Sequence, residues 1–357
     1  LTFIPVEVVS KVSSIKDYTK NDISIVSNAF NDVLSLTIEE SKQLSAKSGK
    51  SPYDSLINKY DIDLSNQLDK SIYLDVEDID SLDQLAKVST IINLAAVHRD
   101  DVRPLSRYDD VNVQGAANVC DAARKYNINK IIFTSSVAIY GFAPINTDES
   151  GKPNYFNDYG RTKFLAENIY KEWQAENPLE RTLVIIRPTV IFGEGNRGNV
   201  YNLLKQIASR RFVMFGNGNN RKSMAYVENV AAFIEHSLSF KKGLHIYNYI
   251  DKPDLDMNAL ISETRKNLFS KNNVGVRLPA FLGIFIGLLA DIATQIIKRP
   301  LPVSSIRVKK FMSTSQFSSS ANTTGFVAPI SLEEGLKNTL CYEFIEDNSS
   351  HTTFDTE

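Results

Sequence analysis

Phe133-Thr134-Ser135-Ser136-Val137-Ala138-Ile139-Tyr140-Gly141 and, further on, Tyr159-Gly160-Arg161-Thr162-Lys163 are the stretches whose reading decides the fold. The first is an apolar strand that ends in hydroxyl residues. The second opens a helix in which Tyr159 and Lys163, at i and i+4, share one face. A free phenol has a pKa of roughly 10, too high for a base at neutral pH. A neighbouring ammonium favours the phenolate and lowers that value. Ser136 at the strand end can hold the same substrate oxygen during proton transfer. Such a trio moves a proton on and off an alcohol or sugar oxygen, while a nicotinamide cofactor supplies the redox step.

Spacing alone does not give the trio its weight. With 15 tyrosines, chance copies of Tyr-x-x-x-Lys are expected, and Tyr126-Asn-Ile-Asn-Lys130 and Tyr201-Asn-Leu-Leu-Lys205 are two. The first straddles a turn from helix to strand. The second is an ordinary helix with no hydroxyl-ended strand just before it. Only Tyr159 has the strand context.

Outward from this centre the chain alternates strand and helix patterns. Ile72–Val76, Val88–Ala96, Lys130–Ser135 and Arg181–Ile191 read as strands. Val111–Tyr126 and Tyr159–Glu176 read as helices. Such alternation predicts a Rossmann-like, doubly wound α/β fold with a parallel sheet. After Gly193 come glycine and asparagine loops and two further helices, Asn199–Ser209 and Val227–Phe240. They predict a smaller C-terminal substrate lobe over the carboxyl ends of the strands, where open α/β sheets bind ligands. The expected organisation is an atypical N-terminal segment (1–70), a dinucleotide-binding core (71–193), a mainly substrate-binding lobe (194–346) and a disordered tail (347–357).

The chain has 357 residues, 43% hydrophobic and 23% charged, with a net charge of −2. That balance does not suggest a nucleic-acid partner. Cys120 and Cys341 are too few for a disulfide framework, and His98, His236, His245 and His351 are scattered, so no metal site is expected. The start of the chain lacks the pattern of a secretory signal, and a cytoplasmic location is expected. The run Leu278–Ala290 is uncharged but short of the roughly 20 apolar residues of a spanning helix. It predicts a buried or partner-facing helix or, with Lys298, Arg299, Arg307, Lys309 and Lys310 nearby, a shallow membrane-surface contact.

Several segments resemble, in order, the extended short-chain dehydrogenase/reductase family of nucleotide-sugar epimerases, dehydratases and ketoreductases. The resemblance covers roughly residues 71–345. Asp75-Val76 resembles the family's adenine-contacting pair. Asn93-Leu94-Ala95-Ala96 resembles the strand end that passes the cofactor. Asn112-Val113-Gln114-Gly115 resembles the family's Asn-Val-x-Gly helix, and Ser136, Tyr159 and Lys163 match its catalytic trio. Arg187-Pro188 resembles the strand that leads into the substrate loop. Lys222-Ser223-Met224-Ala225-Tyr226-Val227 resembles the segment whose first residue holds a substrate phosphate. The resemblance implies cofactor contacts at Asp75, Val76, Ala95, Ala96, Tyr159 and Lys163. It implies substrate contacts at His98, Ser136, Asn196, Arg197, Asn199, Arg221 and Lys222, with NAD or NADP as cofactor and a homodimer as the assembly.

Two departures from the pattern shape the expected function. The chain has no glycine before Gly49 and none between Gly49 and Gly115, so the family's glycine-rich phosphate loop is missing and the first βαβ unit is atypical or absent. Choice between NAD and NADP is therefore unreadable. Where the family's 4,6-dehydratases carry Asp-Glu, Val137-Ala138 stand, which argues against dehydration. The leading expectation is an NAD(P)-dependent reductase or epimerase at C4 of a nucleotide-activated sugar, serving surface polysaccharide synthesis. The alternatives are a non-catalytic relative without tight dinucleotide binding and a membrane-associated hydroxysteroid-type dehydrogenase.

Overall fold

The computed structural model describes residues 4–6, 72–74, 88–99, 102–196, 198–297 and 305–347. Strands β1 (Ile4–Val6) and β2 (Ile72–Leu74) pair antiparallel with each other. The strand expected over Ile72–Val76 thus has an antiparallel partner, and Asp75 and Val76 lie outside the described residues, as do the tail beyond Asp347 and most of the N-terminal segment.

The parallel sheet is built from β3 (Ile91–Asn93), β4 (Lys130–Thr134), β5 (Thr182–Pro188) and β9 (Gly243–Tyr249), in the order β3-β4-β5-β9. Helices α1 (Gly115–Lys125) and α2 (Asp158–Ala175) make the crossovers from β3 to β4 and from β4 to β5. All seven residues of β5 are buried, the pattern of a strand covered on both faces. Period-2 alternation sorts its side chains. Leu183 and Ile185 join Ile131, Phe133 and the α1–α2 residues Val119, Ala166, Tyr170 and Trp173 in one core. Val184 and Ile186 join Ile92, Ile132 and Phe233 on the other face. Phe233 belongs to α4 (Val227–Ser237).

Beyond Pro188 the chain leaves this sheet. The strand expected over Arg181–Ile191 is two strands, because the Thr189 N–H turns to the Tyr249 carbonyl. β6 (Val190–Phe192) then runs parallel to β8 (Arg221–Tyr226), which pairs antiparallel with β10 (Asp251–Asp256). Helices α3 (Asn199–Ala208), α5 (Met257–Phe269) and α8 (Leu332–Phe344) close a separate core around Phe192, Leu204, Tyr226, Leu260 and Leu336. A small parallel pair, β7 (Met214–Phe215) with β11 (Arg277–Leu278), carries α6 (Ala280–Ile297) and then α7 (Ser305–Met312). The C-terminal half therefore supplies β9 to the parallel sheet as well as the second core.

The strand expected over Val88–Ala96 is shorter than its apolar run. Asn93 turns its side-chain oxygen to the Ala95 N–H at 2.9 Å, and the chain leaves the ladder there. The helix expected over Val111–Tyr126 begins as a π-turn, Asp109–Gln114, before becoming α at Gly115. π-turns inside helices often accompany functional sites.

Candidate active site

The strand end and the helix start of the two deciding stretches converge as their sequence implies. After β4 the chain makes a 3-10 turn, Val137–Tyr140, capped by the Ser136 hydroxyl, which accepts from the Ala138 N–H at 3.1 Å. Helix α2 begins at an Asn157 cap whose side chain accepts from the Gly160 N–H at 2.9 Å. Gly160 is required by the closeness of the two. A Cβ there would lie 2.6 Å from the Ala138 carbonyl oxygen, so the turn and the helix touch backbone to backbone. That contact brings the Tyr159 phenol near enough to the Ser136 hydroxyl for Ser136 to favour the phenolate against burial.

Lys163, one turn on, is buried. Its ammonium donates to the Thr134 carbonyl at 2.7 Å and the Ala95 carbonyl at 3.3 Å, bridging the ends of β4 and β3. Burial pulls its pKa down to about 7, against a smaller opposing pull from Glu167. Burial likewise raises the Tyr159 phenol, and the Ser136 bond only partly offsets this. The expectation that Lys163 lowers the Tyr159 pKa is therefore corrected for the free chain. The ammonium spends two of its donors on carbonyls, and its own charge is disfavoured by burial.

This has a measurable consequence for stability. Between the folded value of about 7 and an unfolded value of 10.5 the unfolded chain binds the extra proton. Stability from this group therefore rises as pH climbs through that window and is flat below it. We expect Lys163→Met to flatten the rise of the urea unfolding midpoint between pH 7 and pH 9.5.

The supporting shell was only partly foreseen. Asn112, quoted above for its resemblance alone, is buried and ties three segments together. Its side chain accepts from the Val97 N–H at 2.7 Å and donates to the Val97 carbonyl at 3.0 Å and to Thr162 Oγ1 at 2.9 Å. It thus fixes the loop after β3 against helix α2. No local pattern marks Glu194, yet the Tyr226 hydroxyl donates to both of its carboxyl oxygens at 2.8 and 2.9 Å. Burial there pushes the Glu194 carboxyl up to about 7.

The fold brings Ser136, Tyr159 and Lys163 to the ends of β4 and β3, where the Lys163 ammonium donates to the Ala95 carbonyl, and Ala96 follows at the same strand end. His98 is half-buried in the loop after β3. Lys222 lies partly buried in β8, where burial lowers its pKa to about 8, whereas Arg221 beside it is exposed. Asn196 donates its amide to the Ile191 carbonyl at 3.2 Å, and Asn199 is exposed at the first turn of α3. Arg197 lies outside the described residues. The two decoys behave as their context implied. Lys130 donates to the Leu238 and Phe240 carbonyls at 2.6 and 3.2 Å, and Tyr201 stacks on Phe344 at 5.7 Å with the Lys205 ammonium over its ring at 5.6 Å. Among the described residues no group of acids, histidines or cysteines could hold a metal ion.

A model of the NAD-dependent epimerase/dehydratase family matches residues 40–249, and the chain belongs to that family. It is 50% identical over 286 residues to the N-acetyl-α-D-glucosaminyl-diphospho-ditrans,octacis-undecaprenol 4-epimerase of Escherichia coli O157:H7, a match spanning 79% of this chain and 86% of that protein. Among solved structures it resembles the UDP-glucose 4-epimerase of Thermotoga maritima, with a TM-score of 0.60 at 17% identity over 90% of this chain and 94% of that one. It also resembles the UDP-glucuronic acid 4-epimerase of Bacillus cereus in complex with NAD, with a TM-score of 0.59 at 18% identity over 81% and 84%. These structural likenesses confirm the Rossmann-like fold. Family membership makes the chain an enzyme that works with a nicotinamide dinucleotide.

The described residues fit the nicotinamide end of such a cofactor. A lysine ammonium has three donors. Two are held by the Ala95 and Thr134 carbonyls, at the strand end that carries the small side chains of Ala95 and Ala96, which leaves one donor over. A ribose hydroxyl accepting there would favour the charged lysine again.

Proposed function

We propose that the chain inverts C4 of an N-acetylhexosamine carried on a polyprenyl diphosphate, with NAD as its cofactor. What carries the reading is the pairing of Ser136 with Tyr159 beside a turn whose next residues, Val137 and Ala138, offer no acid. Such a site can oxidise and reduce an alcohol carbon but has no group to expel water across a neighbouring bond. The lipid carrier is supported by the 50% identity to the undecaprenol-linked 4-epimerase. A stacked pair of exposed aromatics, Phe142 and Phe156 with centroids 4.9 Å apart, adds to it. They flank the same turn and helix that bring Ser136 to Tyr159.

When bound, the cofactor contributes reversible hydride acceptance at the sugar C4. Ser136 holds O4, and Tyr159 takes the O4 proton as the C4–H bond is oxidised, which leaves a ketone at C4. Lys163 holds the ribose and, once charged, favours the phenolate form of Tyr159. After the ketone presents its other face, Tyr159 returns the proton to O4 as C4 is reduced. The net change is one inverted centre, with no atoms gained or lost. In this reading Lys222 meets the diphosphate, since charge-assisted bonds suit phosphate. Surface-glycan assembly is the use we propose for the product. A homodimer and a cytoplasmic face belong to the same proposal.

The test is a pair of substrates offered to the purified chain with NAD. Polyprenyl-diphospho-N-acetylglucosamine is expected to equilibrate with its C4 epimer faster than UDP-N-acetylglucosamine at equal concentration. Equal or preferential turnover of the UDP-sugar would assign the site to free nucleotide sugars instead.

A further inference from the structure

We infer that helix α6 is a membrane-surface helix, which seats the enzyme on an anionic bilayer. The helix packs on the body in an inverted sense. Its small residues face inward: Gly283 and Gly287 are buried, and a Cβ on Gly283 would lie 2.7 Å from the Phe215 ring. Its large apolar residues face outward. Phe281, Phe285, Ile286, Leu288 and Leu289 are 67%, 57%, 42%, 49% and 51% exposed. Positions 281, 285, 288 and 289 follow the i, i+4, i+7, i+8 spacing of a single helical stripe. In a water-facing helix those positions would be polar. Here the glycines give close packing, while five large apolar side chains are left outside and only Leu282 and Ile284 are part-covered. A contiguous patch of this kind marks a site that meets another apolar phase.

Charge decides which phase. Between Asp291 and Glu333 the sequence holds no acidic residue but carries Lys298, Arg299, Arg307, Lys309 and Lys310. The segment from Ser305 to Met312 forms α7, which packs on α6, and the Ser305 N–H bonds to the Asp291 carboxylate at 3.2 Å. A basic, acid-free stretch that follows an exposed apolar stripe in the sequence suits anionic headgroups over acyl chains. A second copy of this chain would bring the two basic segments together across a two-fold axis, which like charges oppose. The helix lies on the bilayer and does not cross it. Asp291 ends the uncharged run Ala280–Ala290, which is about 16 Å long at 1.5 Å per residue, roughly half the hydrocarbon thickness. Among the described residues no helix is long and apolar enough to cross a membrane.

This inference deepens the proposed function, since a polyprenyl-linked sugar resides at a bilayer, but its observations are independent of the catalytic trio. The experiment is co-sedimentation of the full chain with vesicles of phosphatidylcholine alone and of phosphatidylcholine with phosphatidylglycerol at 3:1. The chain is expected to pellet with the anionic vesicles and at least tenfold less with the neutral ones. F285E/L289E is expected to lower pelleting at least tenfold, with unchanged circular dichroism and unchanged oligomeric state by light scattering. Tyr159→Phe is expected to pellet like the parent chain, so loss of epimerase activity and loss of membrane binding are read separately. A parent chain that stays in the supernatant with anionic vesicles would overturn the inference. So would a dimer that F285E/L289E dissociates without any change in vesicle binding, which would give the face to a second copy.

Discussion

Tyr159→Phe is expected to lower the rate of C4 inversion by about 10²–10⁴-fold, the usual contribution of a positioned acid–base group. It should leave the unfolding midpoint within the range of a surface substitution. The phenol ring is retained, so its packing against the α1–α2 core is retained with it. What is lost is the single oxygen that meets Ser136 and moves the O4 proton. Isothermal titration with NAD separates this from a binding defect, because Lys163 keeps its bonds to Thr134 and Ala95 in the variant. Affinity for NAD should change little while turnover collapses. The companion variant Ser136→Ala should act differently. Removing the one group that lowers the Tyr159 pKa leaves burial unopposed, so the rising limb of the pH–rate profile, which needs the phenolate, should move to higher pH. Full turnover in Tyr159→Phe would end the assignment of this site.

The trio was legible because its chemistry is local. A strand end, a turn and a helix start are sequence neighbours, and the pairing of Tyr159 with Lys163 needs only helical geometry. The parallel sheet was legible for the same reason, since Leu183–Ile186 is an apolar run that can only be buried. What escaped the sequence is what depends on distant partners. Glu194 meets Tyr226, and Asn112 meets Val97 and Thr162, across folds in the chain that no spacing encodes. The sign of the Tyr159 shift escaped too. Burial raises the Tyr159 phenol and lowers the Lys163 ammonium, and burial is a property of the assembled core, not of a four-residue spacing. The run Leu278–Ala290 was legible as apolar, but only the packing of Gly283 on Phe215 shows which face is turned outward.

Glu167→Ala is expected to cost about 3–5 kcal/mol of unfolding free energy at pH 7, the range for breaking a buried ion pair from one side. Glu167 is one turn beyond Lys163 on α2 and fully buried. Arg187 of β5, nearly as buried, grips both of its carboxyl oxygens, Nε to Oε1 at 2.8 Å and Nη2 to Oε2 at 2.6 Å. Lys171 adds a third contact at 3.0 Å, and the Tyr140 hydroxyl accepts from Arg187 at 2.6 Å. Burial alone would push the Glu167 carboxyl up, but the bonds and charges of Arg187 and Lys171 outweigh it and hold the pKa below its usual 4.5. The stability this pair gives is thus present above pH 4.5 and lost as pH falls through the lower folded value. Alanine leaves the Arg187 guanidinium charged between α2 and β5 with no carboxylate to meet it. Urea unfolding at pH 7 measures the loss. The double variant E167L/R187M removes both charges together and is expected to recover most of it, because a buried pair replaced by apolar side chains of similar volume is often neutral in stability. Its turnover then reports what stability cannot. If the pair also sets the register of α2 against β5, on which Tyr159 and Lys163 depend, the double variant will be stable and slow. A double variant that is both stable and fully active would make the pair a brace for the fold alone.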